Sequence, residues 1–107
     1  MKQALFNDWI AALRSDRFGQ CKGKLSDGAQ GRCCLGVLLE VAGEPIHVYG
    51  YILPQTFADE VGMRVQGQNF HDSSLALSAM NDKTHTFAQI ADELEANPLS
   101  YIKELTP

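Results

Sequence analysis

The sequence predicts an α+β fold: a small single domain, mainly helical, with a small antiparallel sheet. Three observations carry this expectation. Apolar residues recur at helical spacing near both ends of the chain, in Leu5, Phe6, Trp9, Ile10 and Leu13 and again in Phe87, Ile90, Ala91 and Leu94. Between them, Cys33 to Ala42 is almost wholly apolar and ends at a glycine. The stretches flanking that run are rich in glycine on one side and in β-branched and aromatic residues on the other. At 107 residues and 45% hydrophobic composition, the chain 1–107 is sized for one compact domain whose core needs neither metal nor disulfide.

The elements follow in order. Residues 3–14 form an amphipathic helix with Trp9 as its core anchor. Residues 18–32 carry Gly19, Gly23, Gly28 and Gly31, which interrupt any helix, and Ser26-Asp27-Gly28 is a turn signal, so a hairpin or glycine-rich loop is expected. Cys33 to Ala42 forms a buried helix in which Gly36 lets another element pack close, with Gly43 as its left-handed cap. Ile46 to Leu53 reads as a strand. Pro54 opens a short helix to about Val61, stopped by Gly62. Met63 to Phe70 is a weaker strand, and Ser73 or Ser74 caps a short helix through Met80. Thr86-Phe87-Ala88-Gln89 is a capping box that starts a helix to about Ala96, and Pro98 opens a last helix to Leu105.

Charge is uneven. The net charge is −4, which disfavours nonspecific nucleic-acid binding, yet residues 1–49 carry six basic and five acidic side chains against three and eight in residues 50–107. Arg14, Arg17, Lys22, Lys24 and Arg32 fall within one nineteen-residue window. No apolar stretch reaches the roughly 18–20 residues of a membrane span, and Asp8 interrupts the place of a signal peptide's apolar run, so the expected address is cytoplasmic. Three cysteines, two of them adjacent, make a poor disulfide framework and fit reduced thiols.

Several phrases, taken in order, carry a resemblance: Ala12-Leu13-Arg14-Ser15, Arg32-Cys33-Cys34-Leu35-Gly36-Val37-Leu38, Ile52-Leu53-Pro54, Met80-Asn81-Asp82 and Thr86-Phe87-Ala88-Gln89-Ile90-Ala91-Asp92. Together they resemble a family of small hypothetical proteins encoded by bacteriophages and prophages. Asp16-Arg17 before Phe18 depart from its pattern, where a small residue and an aromatic are expected after Arg14-Ser15. The resemblance implies a phage accessory product acting in the bacterial host's cytoplasm, a kind of product that often disarms host defences, and it carries over no functional residue.

Four constellations are candidates for chemistry. First, Gly31 and Arg32 lead into the helix at Cys33, where unpaired N–H groups and the helix dipole favour an anion; Arg14, Arg17, Lys22 and Lys24 are expected to surround it. Against this stand Asp16 and Asp27 and the lack of phosphate-loop spacing. Second, Cys33 or Cys34 at a helix start, with His71 or His85 as base, would make a nucleophile, although cysteine more often fills a core. Third, Cys21, Cys33, Cys34 and a histidine have no zinc-site spacing, and Met80-Asn81-Asp82-Lys83 has no calcium-loop pattern, so no metal or cofactor is expected. Fourth, Asp82, Asp92, Glu93, Glu95 and Glu104 offer an acidic surface, more often a solvated face than a contact.

The function these readings favour is a non-enzymatic binding protein that counters bacterial defence by sequestering a small anionic, nucleotide-like ligand. The alternative is an inhibitor that binds a host defence protein directly through its acidic half; a cysteine-dependent enzyme is third.

Overall fold

The computed structural model describes residues 1–46, 50, 53–64 and 73–107. Helix α1 spans Gln3–Arg14, buries Phe6, Trp9, Ile10, Ala12 and Leu13, and stops where Ser15 turns its N–H and hydroxyl back onto the carbonyl of Ala12. Helix α2, Cys34–Ala42, is buried on every side through its first six residues and ends at Gly43, which adopts φ 74°. Trp9 lies wholly inside and donates its indole N–H to the carbonyl of Cys34 at 2.9 Å, which fixes α1 against the first turn of α2. A Trp buried this way needs such a partner for its one polar atom.

Gly36 permits the closest approach in the core. A Cβ there would lie 2.0 Å from the carbonyl oxygen of Leu25, so the backbone of the glycine-rich segment rests directly on α2. Helix α3, Gln55–Val61, follows Pro54 and stops at Gly62 with φ 80°. Helix α4, Ser73–Ala79, runs without a break into a π-helical turn, Met80–Thr84, closed by the bond from His85 N–H to the carbonyl of Met80. Helix α5, Phe87–Ala96, carries both bonds of the expected capping box and packs Phe87, Ile90, Ala91 and Leu94 inward, against α1. The described residues form a body of 31 × 26 × 26 Å. Among them no helix is long and apolar enough to cross a membrane.

The sheet corrects one expectation. Strands β1, Gly19–Gln20, and β2, Gly31–Arg32, pair in parallel, not antiparallel. The turn at Ser26-Asp27-Gly28 does form, and it returns the chain as a single antiparallel bridge between Ser26 and Arg32. That bridge occupies one edge of Arg32, so β1 joins the other edge in the same direction as β2.

The last helix is a second correction. Pro98 opens only the 3₁₀ turn Pro98–Ser100, because the following residues pair with the chain after α3 instead. Arg64 N–H donates to the carbonyl of Tyr101 and Lys103 N–H to that of Gly62, burying Ile102 completely. The expected strand at 46–53 lies mostly, and that at 63–70 largely, outside the described residues; Met63 makes one antiparallel bridge with Ile102.

Urea denaturation tests this packing. Trp9→Ala is expected to cost about 3–5 kcal/mol and Thr86→Ala about 0.5–2 kcal/mol. In a free helix Gly36→Ala would gain about 1 kcal/mol; here the collision with Leu25 reverses the sign, with a net loss of order 1–3 kcal/mol. A stabilised Gly36→Ala protein would mean that the Leu25 backbone does not sit on α2.

Candidate functional site

The site is organised by a residue with no charge. Asn81, in the π-helical turn, is buried, and each end of its amide is engaged twice. Its oxygen accepts from the N–H of Cys34 at 3.1 Å and from the Gln20 side chain at 3.0 Å. Its nitrogen donates to the carbonyl of Cys21 at 2.8 Å and to Asp82 at 3.1 Å. Gln20 donates again to the carbonyl of His85 at 2.8 Å, and the Asp82 carboxylate accepts from Gly23 N–H at 3.0 Å. The glycine-rich segment, the start of α2 and the π-helical turn are thereby one hydrogen-bonded unit.

This unit closes the place where an anion was expected. The first amide of α2 already has Asn81 as its acceptor, Cys33 N–H donates to Leu25, and both cysteines are buried. The six expected ligand-binding residues do not converge there. Arg14 leaves the C-terminal end of α1 for α5, pairing with Asp92 at 2.9 Å and with Glu95. Arg17 lies over the ring of Phe18, 4.9 Å from its centroid. Arg32 is a clamp: its guanidinium pairs with Glu40 at 2.9 Å and donates to Ser26 and to the carbonyls of Ala29 and Gly31. Gly31 serves the same loop, since a Cβ would lie 2.2 Å from the Asp27 carboxylate that accepts its N–H. Lys24 is exposed in the loop.

Lys22 is placed differently. With Gln20, Asn81, Lys83, Thr84, His85 and Thr86 it lines an open cavity of about 260 Å³ over the hydrogen-bonded unit. Neither Lys22 nor Lys83 belongs to an ion pair among the described residues, in contrast to Arg14 and Arg32. A larger cavity of about 440 Å³ lies between α1 and α2, but there Asp8 and Glu40 face Arg17, which does not suit an anion. Sequence reasoning missed Gln20, Asn81, Lys83 and His85 as one group. Met80-Asn81-Asp82 was visible as a phrase, but a π-helical turn has no apolar period to mark it.

Cys33 and Cys34 are poorly placed for nucleophilic work. Burial pushes Cys33 up to about 11 and Cys34 well above its ordinary range, so neither supplies thiolate near neutral pH. His85 has its Nδ1 against the Thr84 hydroxyl, and His71 lies outside the described residues. Among the described residues no group of three His, Cys, Asp or Glu is placed to hold a metal.

A family model described as a domain of unknown function, DUF8296, matches residues 1–46. No curated protein and no solved structure matches the chain.

Two outcomes are expected. Asn81→Ala leaves the Cys34 N–H and the Cys21 carbonyl without their partner, at about 1–3 kcal/mol for each group that water does not reach; a change under about 0.5 kcal/mol in a urea midpoint series would be that of an ordinary surface site. Cys33, raised in the folded state, contributes stability that is complete below the unfolded thiol range and lost as pH rises through about 11. Stability should therefore fall between about pH 9 and 11, and Cys33→Ala should flatten that slope. An equal slope in both proteins would rule out a buried, raised thiol.

Proposed function

We propose that the chain is a non-enzymatic binding protein that takes the phosphate of a small anionic ligand between Lys22 and Lys83. One observation carries this reading: two cations without ion-pair partners among the described residues border one cavity, whose floor is held rigid by Gln20 and Asn81. Ammonium groups bind phosphate as point charges and need no exact fork geometry, which suits an open cavity. A preformed floor also lowers the ordering cost of binding. In the phage setting that the sequence resemblance implies, such binding would withdraw a phosphorylated signal from a bacterial defence in the host cytoplasm.

The competing reading, direct binding to a host protein through the acidic half, draws less support. Asp92 and Glu95 already pair with Arg14, Glu93 accepts from Tyr101 at 3.0 Å, and Asp82 is tied to Gly23. A thiol-dependent reaction draws less support as well, since burial raises Cys33 and Cys34 and, to a lesser depth, the partly exposed Cys21.

Calorimetric titration with inorganic phosphate and a panel of nucleotides tests the reading. Binding of at least one of these tighter than about 1 mM, roughly −4.1 kcal/mol, is expected at low salt. Lys22→Ala and Lys83→Ala should each weaken it several-fold, and added salt should do the same. Arg32→Ala should act on stability instead, since Arg32 holds its own loop. No binding at that threshold, or loss of binding on Arg32→Ala alone, would overturn the assignment.

A further inference from the structure

We propose that Cys21 and Cys33 form a thiol pair across the two-stranded sheet, which closes as a disulfide when the chain meets a small-molecule disulfide. The register places them. Gly19 pairs with Gly31 and Gln20 with Arg32. In a parallel ladder the bonds slant, so a residue's N–H meets the carbonyl one place before its partner. The N–H of Cys21 donates to the carbonyl of Arg32 at 2.8 Å, which makes Cys33 the partner of Cys21. Neighbouring strands run about 4.7–4.9 Å apart with paired residues on the same face. A disulfide needs roughly 4.4–6.8 Å between its Cα atoms, so a ladder pair is within its reach.

The ladder stops at this pair. Its next rung would run from the N–H of Cys34 to the carbonyl of Cys21. Both groups bond one side-chain amide instead: Asn81 accepts from Cys34 at 3.1 Å and donates to Cys21 at 2.8 Å. Asn81 thus keeps the two strands joined just beyond Cys21 and Cys33. The Cys21 sulfur lies 3.5 Å from the carbonyl of Lys24, and the next carbonyl, that of Leu25, accepts the N–H of Cys33 from the far edge of β2. Cys33 is therefore flanked by Cys21 on one edge and by the returning loop on the other. The sulfur of Cys34 is directed elsewhere, to the carbonyl of Leu77 on α4.

Access sets the order of events. Cys21 is partly exposed, whereas Cys33 is 1% exposed. Burial raises Cys21, and Lys24 and Arg32 act the other way. Burial raises Cys33 further, and the charge of Cys21 adds to it, as expected of neighbouring sulfurs. Cys21 gives its proton to water, and its thiolate attacks one sulfur of the small disulfide. That S–S bond breaks and one small thiol leaves, taking up a proton. Cys33 then gives its proton to water and attacks the Cys21 sulfur, which releases the second small thiol. Two protein thiols are oxidised to one disulfide, and one small disulfide is reduced to two thiols. Burial denies Cys33 to reagents in solution but not to the sulfur beside it. The link closes segment 21–33, which carries Lys22 and Arg32, and so fastens this loop covalently in the oxidised chain.

The test is incubation of the full native chain with oxidised glutathione at about pH 8.5, near the ordinary thiol pKa, then alkylation and trypsin without reduction. Trypsin cuts after Arg17, Lys22, Arg32 and Arg64, so the link joins peptides 18–22 and 33–64, and reduction separates them. The intact chain is expected to stay monomeric and to lose two hydrogens. Fragmentation of the joined peptides between Cys33 and Cys34 assigns the partner in the wild type, and Cys33 should predominate. In urea the register is lost and the two possible loops differ by one residue, so the preference for Cys33 should vanish. Cys34→Ala should still form the link, whereas Cys33→Ala should stop at a glutathione adduct on Cys21. A native chain that stays reduced, stops at the adduct, or joins a second copy overturns the pair. So does a link to Cys34, or a preference for Cys33 that is equal in urea.

Discussion

The arrangement depends on one neutral amide that caps a helix from outside that helix. An α-helix begins with N–H groups that have no partner within it. In α2 the N-cap residue is Cys33, whose side chain makes no capping hydrogen bond, and Asn81 from the π-helical turn takes the Cys34 N–H in its place. An aspartate there would still accept, and the helix dipole would favour its charge. It would donate nothing to Cys21, however, and would set a second carboxylate beside Asp82 in a buried position. Only an amide satisfies the donors and acceptors on both sides, which is why the capping group carries no charge.

The same constraint distributes the charges. Because Asn81 occupies the start of α2, no anion is required there, and the arginines around it have other partners. Arg32 holds the loop that brings Leu25 onto Gly36, through Glu40 on α2 and Ser26 in the loop itself. Arg14 fastens α1 to α5 through exposed pairs that contribute little to stability individually. The loop carboxylate of Asp27 is held below its ordinary range, first by the N–H of Ala29, and so stays charged in support of Gly31. Among the described residues Lys22 and Lys83, at the rim of the unit, belong to no ion pair.

Much of the fold was legible because its signals are local. The spacing of Leu5 to Leu13 gave α1 to the residue, Thr86 and Gln89 gave the start of α5, and Gly43 gave the end of α2. Gly36 was readable as a close approach, though not what approaches it. The parallel pairing of β1 with β2 was not legible, since a strand of two residues has no alternation to read and Arg32 is contested by two neighbours. The basic window was visible as composition, but composition does not tell a cation that is paired from one that is not. Arg32 and Lys22 look alike in sequence, and only the positions of Glu40 and Lys83 separate them.

That difference bears on how function is read from charge. Arg32 sits half inside the protein, donates to four groups, and would have to break those bonds to meet a ligand. A ligand phosphate would have to outcompete Glu40, a carboxylate already in place, before gaining anything from the guanidinium. Lys22 and Lys83 have no ion-pair partner among the described residues, so an anion meeting them would not have to displace one there. The most conspicuous basic residue in the sequence is thus the least available one. The candidate site lies where a hydrogen-bonded floor ends and cations outside any ion pair among the described residues begin.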